Sequence, residues 1–224
     1  MALRLLITEV TDIHPGTYCV AGWDPVGIRM VRPLPDGVLW PRALLDQAGV
    51  VPGAAIAVSP NRIRLRCDYP LRTEDLPIDL APIERQDSEP MNWFAPEGPP
   101  TAATLHAAFG GELRHISLWR GHRRGAYVPA GTRTCSLHGA RVPSRQLSFI
   151  EEDDRPRALL QDAEARYTLP VTSRALRAIW RAEGIAAMRR ALPFDTDLHV
   201  RLGLARGFGA HAEKCYVMLN GVLW

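Results

Sequence analysis

Residues 118–127, LWRGHRRGAY, place three arginines and a histidine between a tryptophan and a tyrosine. Guanidinium groups hold phosphates electrostatically, and aromatic rings stack on bases, so this pattern predicts a contact with nucleic acid. The candidate contact residues are Trp119, Arg120, Arg123, Arg124 and Tyr127. The alternative, a solvated loop whose two aromatic side chains pack in the core or at its rim, is open at this point.

The segment belongs to a longer basic run. Residues 113–150 contain seven arginines and three histidines but no Asp or Glu. Arg133 lies in this run and is a further candidate for phosphate binding. In the first half, Arg29 and Arg32 alternate with apolar residues in IRMVRPL, and we expect them to serve the same purpose there.

Patterns for catalysis or metal binding are weak. The sequence contains no GxxxxGK[ST], GxGxxG, HExxH, GxSxG or DxDxDG motif. Four consecutive acids, EEDD at 151–154, cannot all face one metal ion, and a solvated loop is the better interpretation. The Cys135/His138 and His211/Cys215 pairs have irregular spacing for a zinc site. We therefore expect a non-enzyme with neither metal nor cofactor.

The charge is divided unevenly along the 224 residues. The net charge is +3, but residues 1–112 carry 9 basic and 14 acidic side chains, whereas residues 113–224 carry 18 and 10. A basic second half suits a polyanionic partner. Neither a secretory leader nor an apolar run of about 20 residues is present, so we expect a cytoplasmic protein without membrane contact.

The first 85 residues predict a small β-barrel. Apolar and alternating runs predict strands in LRLLITEV, TYCVAGWD, IRMVRPL, GAAIAV and RIRLRCDY, and WPRALLDQA predicts a short helix. Five short strands with an inserted helix are too few for a sandwich and fit a closed barrel of the OB type. An SH3-like barrel would give the same periodicity.

Residues 86–112 predict a Pro-rich linker followed by a short helix with Thr101 or Thr104 as its cap. Trp93 and Phe94 in this linker are expected to pack on a domain. Residues 113–224 repeat the first outline, with six β-rich runs and one helical region that begins at Ser173. The prediction is a mainly β protein of two tandem small OB-like barrels with short inserted helices, the second barrel being the basic one.

Three segments resemble the dual OB-containing domain family of bacteria. They are YCVAGWDPVGIRMVRPL at 18–34, RYTLPVT at 166–172, and RLGLARGF at 201–208 with KCYVMLNGVLW at 214–224. Gly207 stands where the family usually has proline, and the basic insert at 118–133 is longer than is typical. The resemblance implies two OB-type barrels and recognition of nucleic acid near genome-defence or mobile-element systems.

Function is therefore predicted as a non-catalytic nucleic-acid-binding module, with single strands or structured ends favoured over duplexes. A protein-interaction adaptor is the alternative, because an acid-rich first half with Trp93 and Phe94 would suit a partner or effector enzyme. A nuclease with an unfamiliar site is the third possibility. The sequence does not discriminate DNA from RNA.

Overall fold

The computed structural model describes residues 2–65, 68–80, 83–86, 92–117, 124–207 and 209–224, with Ser117 and Arg124 described by their backbone only. The chain divides into two compact units. The first comprises Met1–Cys67 and Glu74–Pro99, and the second comprises Asp68–Thr73 and Pro100–Trp224. The second division falls inside the predicted linker 86–112, whereas no sequence pattern indicated that residues 68–73 belong with the second half.

The first unit is built on one curled sheet. Its elements are β1 (Leu3–His14), β2 (Thr17–Asp24), β3 (Arg29–Pro35), β4 (Trp40–Pro41), α1 (Arg42–Gln47), β5 (Ala55–Val58), β6 (Asp75–Ile78) and β7 (Glu84–Gln86). Within the described chain the strand order is β6-β3-β2-β1-β5-β7, with β4 paired to β2. Neighbouring strands are antiparallel except β3 and β6, which run parallel.

The core of this unit forms from the apolar face of β1 and β2 and from Trp40. Leu5, Val20 and Trp40 are fully buried. The Trp40 indole N–H donates to the carbonyl of Pro33 at 2.7 Å, which satisfies its polar atom inside the core. Gly16 closes the β1–β2 turn with φ of +77°, a conformation that glycine adopts without steric cost.

The predicted strand in RIRLRCDY is wrong in its described part, because residues 61–65 form no strand. The Asn61 side chain instead accepts from the Ile63 N–H at 3.0 Å and donates to the Ile78 carbonyl at 3.0 Å. Ile63 remains 44% exposed. The preceding residues do reach the edge of β6, where Pro60 forms an isolated bridge with Ile78. Residues 61–65 do not continue this pairing, and alternation alone does not make a strand.

The described part of the predicted linker is packed on the first unit as far as Pro99. Trp93 is 9% exposed. The indole N–H of Trp23 donates to the carbonyl of Glu97 at 2.8 Å, which ties this segment to β2. The expectation that Trp93 packs on a domain is therefore correct, while Phe94 is half-buried.

The second unit contains more strands and the longer helices. Its elements are β8 (Thr101–Ala102), α2 (Leu105–Ala108), β9 (Arg114–Ser117), β10 (Arg124–Pro129), β11 (Leu137–Pro143), β12 (Leu147–Glu152), β13 (Arg155–Gln161), β14 (Arg166–Pro170), α3 (Arg174–Glu183), α4 (Ile185–Arg190), β15 (Asp197–Arg206) and β16 (Lys214–Leu223). One sheet has the order β8-β11-β15-β16-β10-β9, and a second has the order β12-β13-β14.

Helix ends in this unit follow local sequence rules. The Thr104 hydroxyl accepts from the Ala107 N–H at 3.1 Å, and the Ser173 hydroxyl accepts from the Leu176 N–H at 3.4 Å, so both residues cap helices as predicted. Gly184, with φ of +79°, separates α3 from α4 within the predicted helical region.

The protein is mainly β, with curled half-barrel sheets and a few short helices, which confirms the predicted fold class of tandem OB-like barrels. The longest helix in the described chain is α3 with 10 residues, and no described helix is long and apolar enough to cross a membrane.

Candidate nucleic-acid interface

The strongest sequence candidates, Trp119, Arg120 and Arg123, lie outside the described residues. The strands on either side of them are antiparallel neighbours, with Ser117 paired to Arg124. Residues 118–123 therefore connect the ends of β9 and β10. Arg124 is the first residue of β10, which belongs to the sheet of the second unit.

Tyr127 is on the face of β10 that points away from the core. Its neighbours Ala126 and Val128 are buried in the core of the second unit, whereas Tyr127 is half-buried and lies outside that cluster. Because side chains alternate along a strand, Tyr127 occupies the opposite face. Burial in the core therefore does not describe Tyr127, whereas a ligand contact and packing at the rim of the core both fit its half-buried position.

Tyr127 is the centre of a row that crosses three strands. It pairs with Arg114 on β9 and with Tyr216 on β16. Directly opposite residues in an antiparallel pair point to the same face with Cβ atoms about 5 Å apart. The Lys214 ammonium is 5.6 Å from the centroid of the Tyr127 ring. We call Arg114, Tyr127, Lys214 and Tyr216 the tyrosine row.

Lys214 also has anionic and imidazole neighbours. Its ammonium is 3.6 Å from a Glu213 carboxylate oxygen and 3.2 Å from Nδ1 of His211, and its side chain is 22% exposed. A cation over an aromatic ring at an exposed site contributes about 0.5–1 kcal/mol. The tyrosine row thus combines two rings with two cations on one partly exposed face.

Arg133 takes part in a second contact between a cation and a ring. Its guanidinium carbon is 5.9 Å from the centroid of the Tyr69 ring. The Gly131 N–H donates to the Tyr69 carbonyl at 2.9 Å, just beyond the end of β10. Asp68, the residue before Tyr69, has a carboxylate oxygen 2.5 Å from Nη2 of Arg206. Both contacts use residues of the 68–73 segment.

Arg29 is an exposed residue that stabilises a turn. Its Nε donates to the Asp24 carboxylate at 3.2 Å, and 59% of its side chain is exposed. The same carboxylate accepts from the N–H groups of Val26 at 3.1 Å and Gly27 at 2.9 Å. The guanidinium of Arg29 therefore faces solvent at the β2–β3 turn and is available to an anionic ligand.

Arg32 is placed very differently. Its Nη1 donates to Asp75 at 2.6 Å, and the two side chains are only 11% and 7% exposed. Burial lowers the pKa of Arg32, but Cys19, Asp75 and Glu74 outweigh it, so its pKa is raised above the ordinary value. This guanidinium is held inside the unit by an acid 43 positions away, and a buried cation that is already paired with an acid is poorly placed to bind a phosphate.

Cys19 lies beside Arg32 and is half-buried. Desolvation raises the pKa of the Cys19 thiol, and the positive charge of Arg32 opposes that shift. A thiol with a raised pKa is a poor nucleophile at neutral pH, because the thiolate is the reactive form. The arrangement therefore gives no support to a cysteine nucleophile.

The remaining sequence candidates form no catalytic cluster in the described chain. Asp153 and Asp154 make the turn between β12 and β13, with φ of 52° and 53°. Glu151 accepts from the Trp180 indole N–H at 2.8 Å, and Glu152 lies 3.7 Å from Arg157. Among the residues described, no three His, Cys, Asp or Glu side chains come together as a possible metal site.

Sequence reasoning missed Arg114, Lys214, Tyr216 and Tyr69 as site residues. A signal for two of them was present in KCYVMLNGVLW. If Cys215 and Val217 face the core, alternation places Lys214 and Tyr216 together on the other face. Tyr69 had no such signal, because its position in the second unit depends on contacts with residues more than 60 positions away.

No family model matches this chain, and no curated protein matches it either. The resemblance to the dual OB-containing domain family therefore stays a prediction. Among solved structures, the chain is similar to one described as the tetrameric p202 HIN2, with 8% identity and a TM-score of 0.36 over 100% of this chain and 94% of that chain. A likeness at this level carries no argument about function.

Proposed function

We propose that this protein is a non-catalytic nucleic-acid-binding module whose principal site is on the second unit. The observation that carries the proposal is the tyrosine row. Tyr127 on β10 and Tyr216 on β16 pair on the face away from the core, with Arg114 and Lys214 beside them. The basic segment 118–123 joins β10 to β9 in the chain. Rings and cations together on one face match the requirements of a single-stranded nucleic acid, which offers both bases and phosphates.

The roles follow from side-chain chemistry. Arg120, Arg123, Arg124 and Arg133 hold phosphates, and Trp119 and Tyr127 stack on bases together with Tyr216. Arg29 adds a phosphate contact on the first unit. A flexible single strand or a structured end suits this arrangement better than a stiff duplex, because bases in a duplex are not free to stack on protein rings. The family resemblance is the reason for assigning the module to a genome-defence or mobile-element system.

Binding to labelled oligonucleotides tests the proposal. Fluorescence anisotropy is measured with single-stranded DNA and RNA of about 20 nucleotides, which covers the usual OB site size. The measurement is made at about 50 and about 200 mM salt, because each phosphate contact to a single strand contributes about −0.7 to the slope of log K against log salt. The Arg120/Arg123/Arg124→Ala variant should bind more weakly and should reduce that slope by about 2.

A matched control removes three exposed arginines from the other unit, as Arg62/Arg64/Arg85→Ala. This variant has the same change in net charge and should retain most of the affinity. Absence of binding at the lower salt concentration, or equal losses in both triple variants, contradicts the proposed site. Metal-dependent degradation of the oligonucleotide contradicts its non-catalytic character.

The adaptor function has one observation in its favour. Val26 is 85% exposed and Ile28 is 77% exposed at the β2–β3 turn, on the acid-rich half of the chain. Ile28 has φ of 51°, an uncommon conformation for a β-branched residue. Purification with a stoichiometric protein partner but without nucleic acid, lost in the Val26/Ile28→Ser variant, would favour this function over the first.

A further inference from the structure

A short segment of the first half of the chain is built into the second unit. In Asp68–Thr73, Leu71 packs against the core cluster of the second unit. The Thr73 hydroxyl accepts from the Ser136 N–H at 3.2 Å, and the Tyr69 carbonyl accepts from the Gly131 N–H at 2.9 Å. We call this segment the strap. Apolar packing and two hydrogen bonds hold it in a defined position.

The strap presents an aromatic ring at the surface. Tyr69 is 41% exposed, and the Arg133 guanidinium carbon lies 5.9 Å from its ring centroid. An exposed ring beside a guanidinium is a surface on which a base can stack. A ring paired with a guanidinium offers two planar surfaces for a base and several N–H donors for a phosphate.

We propose that Tyr69 and Arg133 form a second base-stacking subsite that extends the tyrosine row. This subsite rests on the proposed nucleic-acid-binding function. The Tyr69 carbonyl is bonded to Gly131, four residues after Tyr127, and four residues span at most about 14 Å. Four stacked nucleotides at about 3.4 Å each cover the same distance. The backbone positions that carry the two rings are therefore close enough for one nucleic-acid strand of ordinary OB site size to span.

Asp68 gives this subsite a property that a purely structural strap would lack. Its carboxylate lies 2.5 Å from Arg206 Nη2, and the two side chains are 47% and 58% exposed. The Asp68 carboxylate pairs with the Arg206 guanidinium, which a phosphate beside Tyr69 would otherwise contact. Its negative charge also repels that phosphate. Removal of the Asp68 charge should therefore strengthen binding, whereas removal of the Tyr69 ring should weaken it.

The experiment measures the affinity of full-chain variants for the labelled oligonucleotide of about 20 nucleotides by fluorescence anisotropy. Tyr69→Leu should lose about fivefold to tenfold in affinity, as expected for one stacked base, and Tyr69→Phe should recover most of that loss. Asp68→Asn should gain about twofold to fivefold at low salt, and the gain should shrink as salt is raised. Thermal unfolding of each variant is recorded in parallel.

Phe194→Leu is the matched control, since Phe194 is 98% exposed in the same unit and belongs neither to the tyrosine row nor to the strap. Opposite signs for Tyr69→Leu and Asp68→Asn, with Phe194→Leu unchanged, support the subsite. If the parent protein binds but Tyr69→Leu binds equally well, the subsite is wrong and the proposed function stands. The subsite is also wrong if Tyr69→Leu and Asp68→Asn both bind more weakly and both have a lower Tm. If the parent protein does not bind, the proposed function itself fails.

Discussion

In the first unit Arg32 lies against Asp75 at 2.6 Å with 11% of its side chain exposed, whereas in the second unit Lys214 and Arg133 lie over tyrosine rings at a surface that solvent reaches. A buried cation must be matched by an acid, because desolvation of an isolated charge costs several kcal/mol. A surface cation over a ring keeps most of its hydration and its capacity to bind an anion. Burial thus separates an arginine that stabilises the fold from one that can serve a ligand.

The largest effect that this contrast predicts is on stability. Arg32→Leu leaves Asp75 buried without its partner, so we expect a loss of about 3–5 kcal/mol in the free energy of unfolding, measured with urea. The double variant Arg32→Leu/Asp75→Leu should recover a large part of that loss, because it removes both charges. A single variant as stable as the parent protein would show that the pair is not buried in solution.

The next effect concerns binding on the second unit. Tyr216→Ala should weaken oligonucleotide binding by about 1–3 kcal/mol, the usual value for one stacked base, while unfolding changes little because Tyr216 lies outside the core. Tyr127→Ala should behave similarly. If the parent protein and both variants bind the oligonucleotide with equal affinity, the tyrosine row packs only against protein and does not contact nucleic acid.

A smaller effect is expected for the exposed counterpart of Arg32 in the same unit. Arg29→Ala removes an ion pair in which the arginine side chain is 59% exposed, so the free energy of unfolding should fall by about 1 kcal/mol or less. Asp24→Ala should cost more, because this carboxylate also accepts two backbone N–H groups of the turn. If Arg29→Ala and Asp24→Ala lower the free energy of unfolding equally, the buried carboxylate contributes no more to stability than the exposed guanidinium, contrary to this prediction.

The smallest effect is on thiol chemistry beside Arg32. Since desolvation raises the pKa of Cys19, its alkylation by iodoacetamide should be slow at neutral pH and should accelerate only above the ordinary thiol pKa of about 8.5. Peptide mass spectrometry after timed labelling gives the rate for Cys19 separately from the other cysteines. Rapid labelling near pH 7 would mean that the charge of Arg32 outweighs burial.

Local sequence signals predicted those parts of the fold that depend on local interactions. Thr104 and Ser173 cap their helices because a side-chain hydroxyl reaches an N–H only three residues away. The strand predicted in RIRLRCDY is wrong in its described part, because those residues do not pair with a strand and alternation alone does not supply such pairing. β13 is central in its sheet although Pro156 removes one backbone donor from it.

The sequence by itself determined a mainly β protein of two OB-like barrels, the helix caps and the position of the basic run. Only the tertiary structure decided which cations and rings meet. The Arg32–Asp75 pair, the Tyr127–Tyr216 pair and the Tyr69–Arg133 contact each join residues more than 40 positions apart. Alternation fixes the face of a strand on which a side chain lies, but strand order and register fix its neighbours across the sheet.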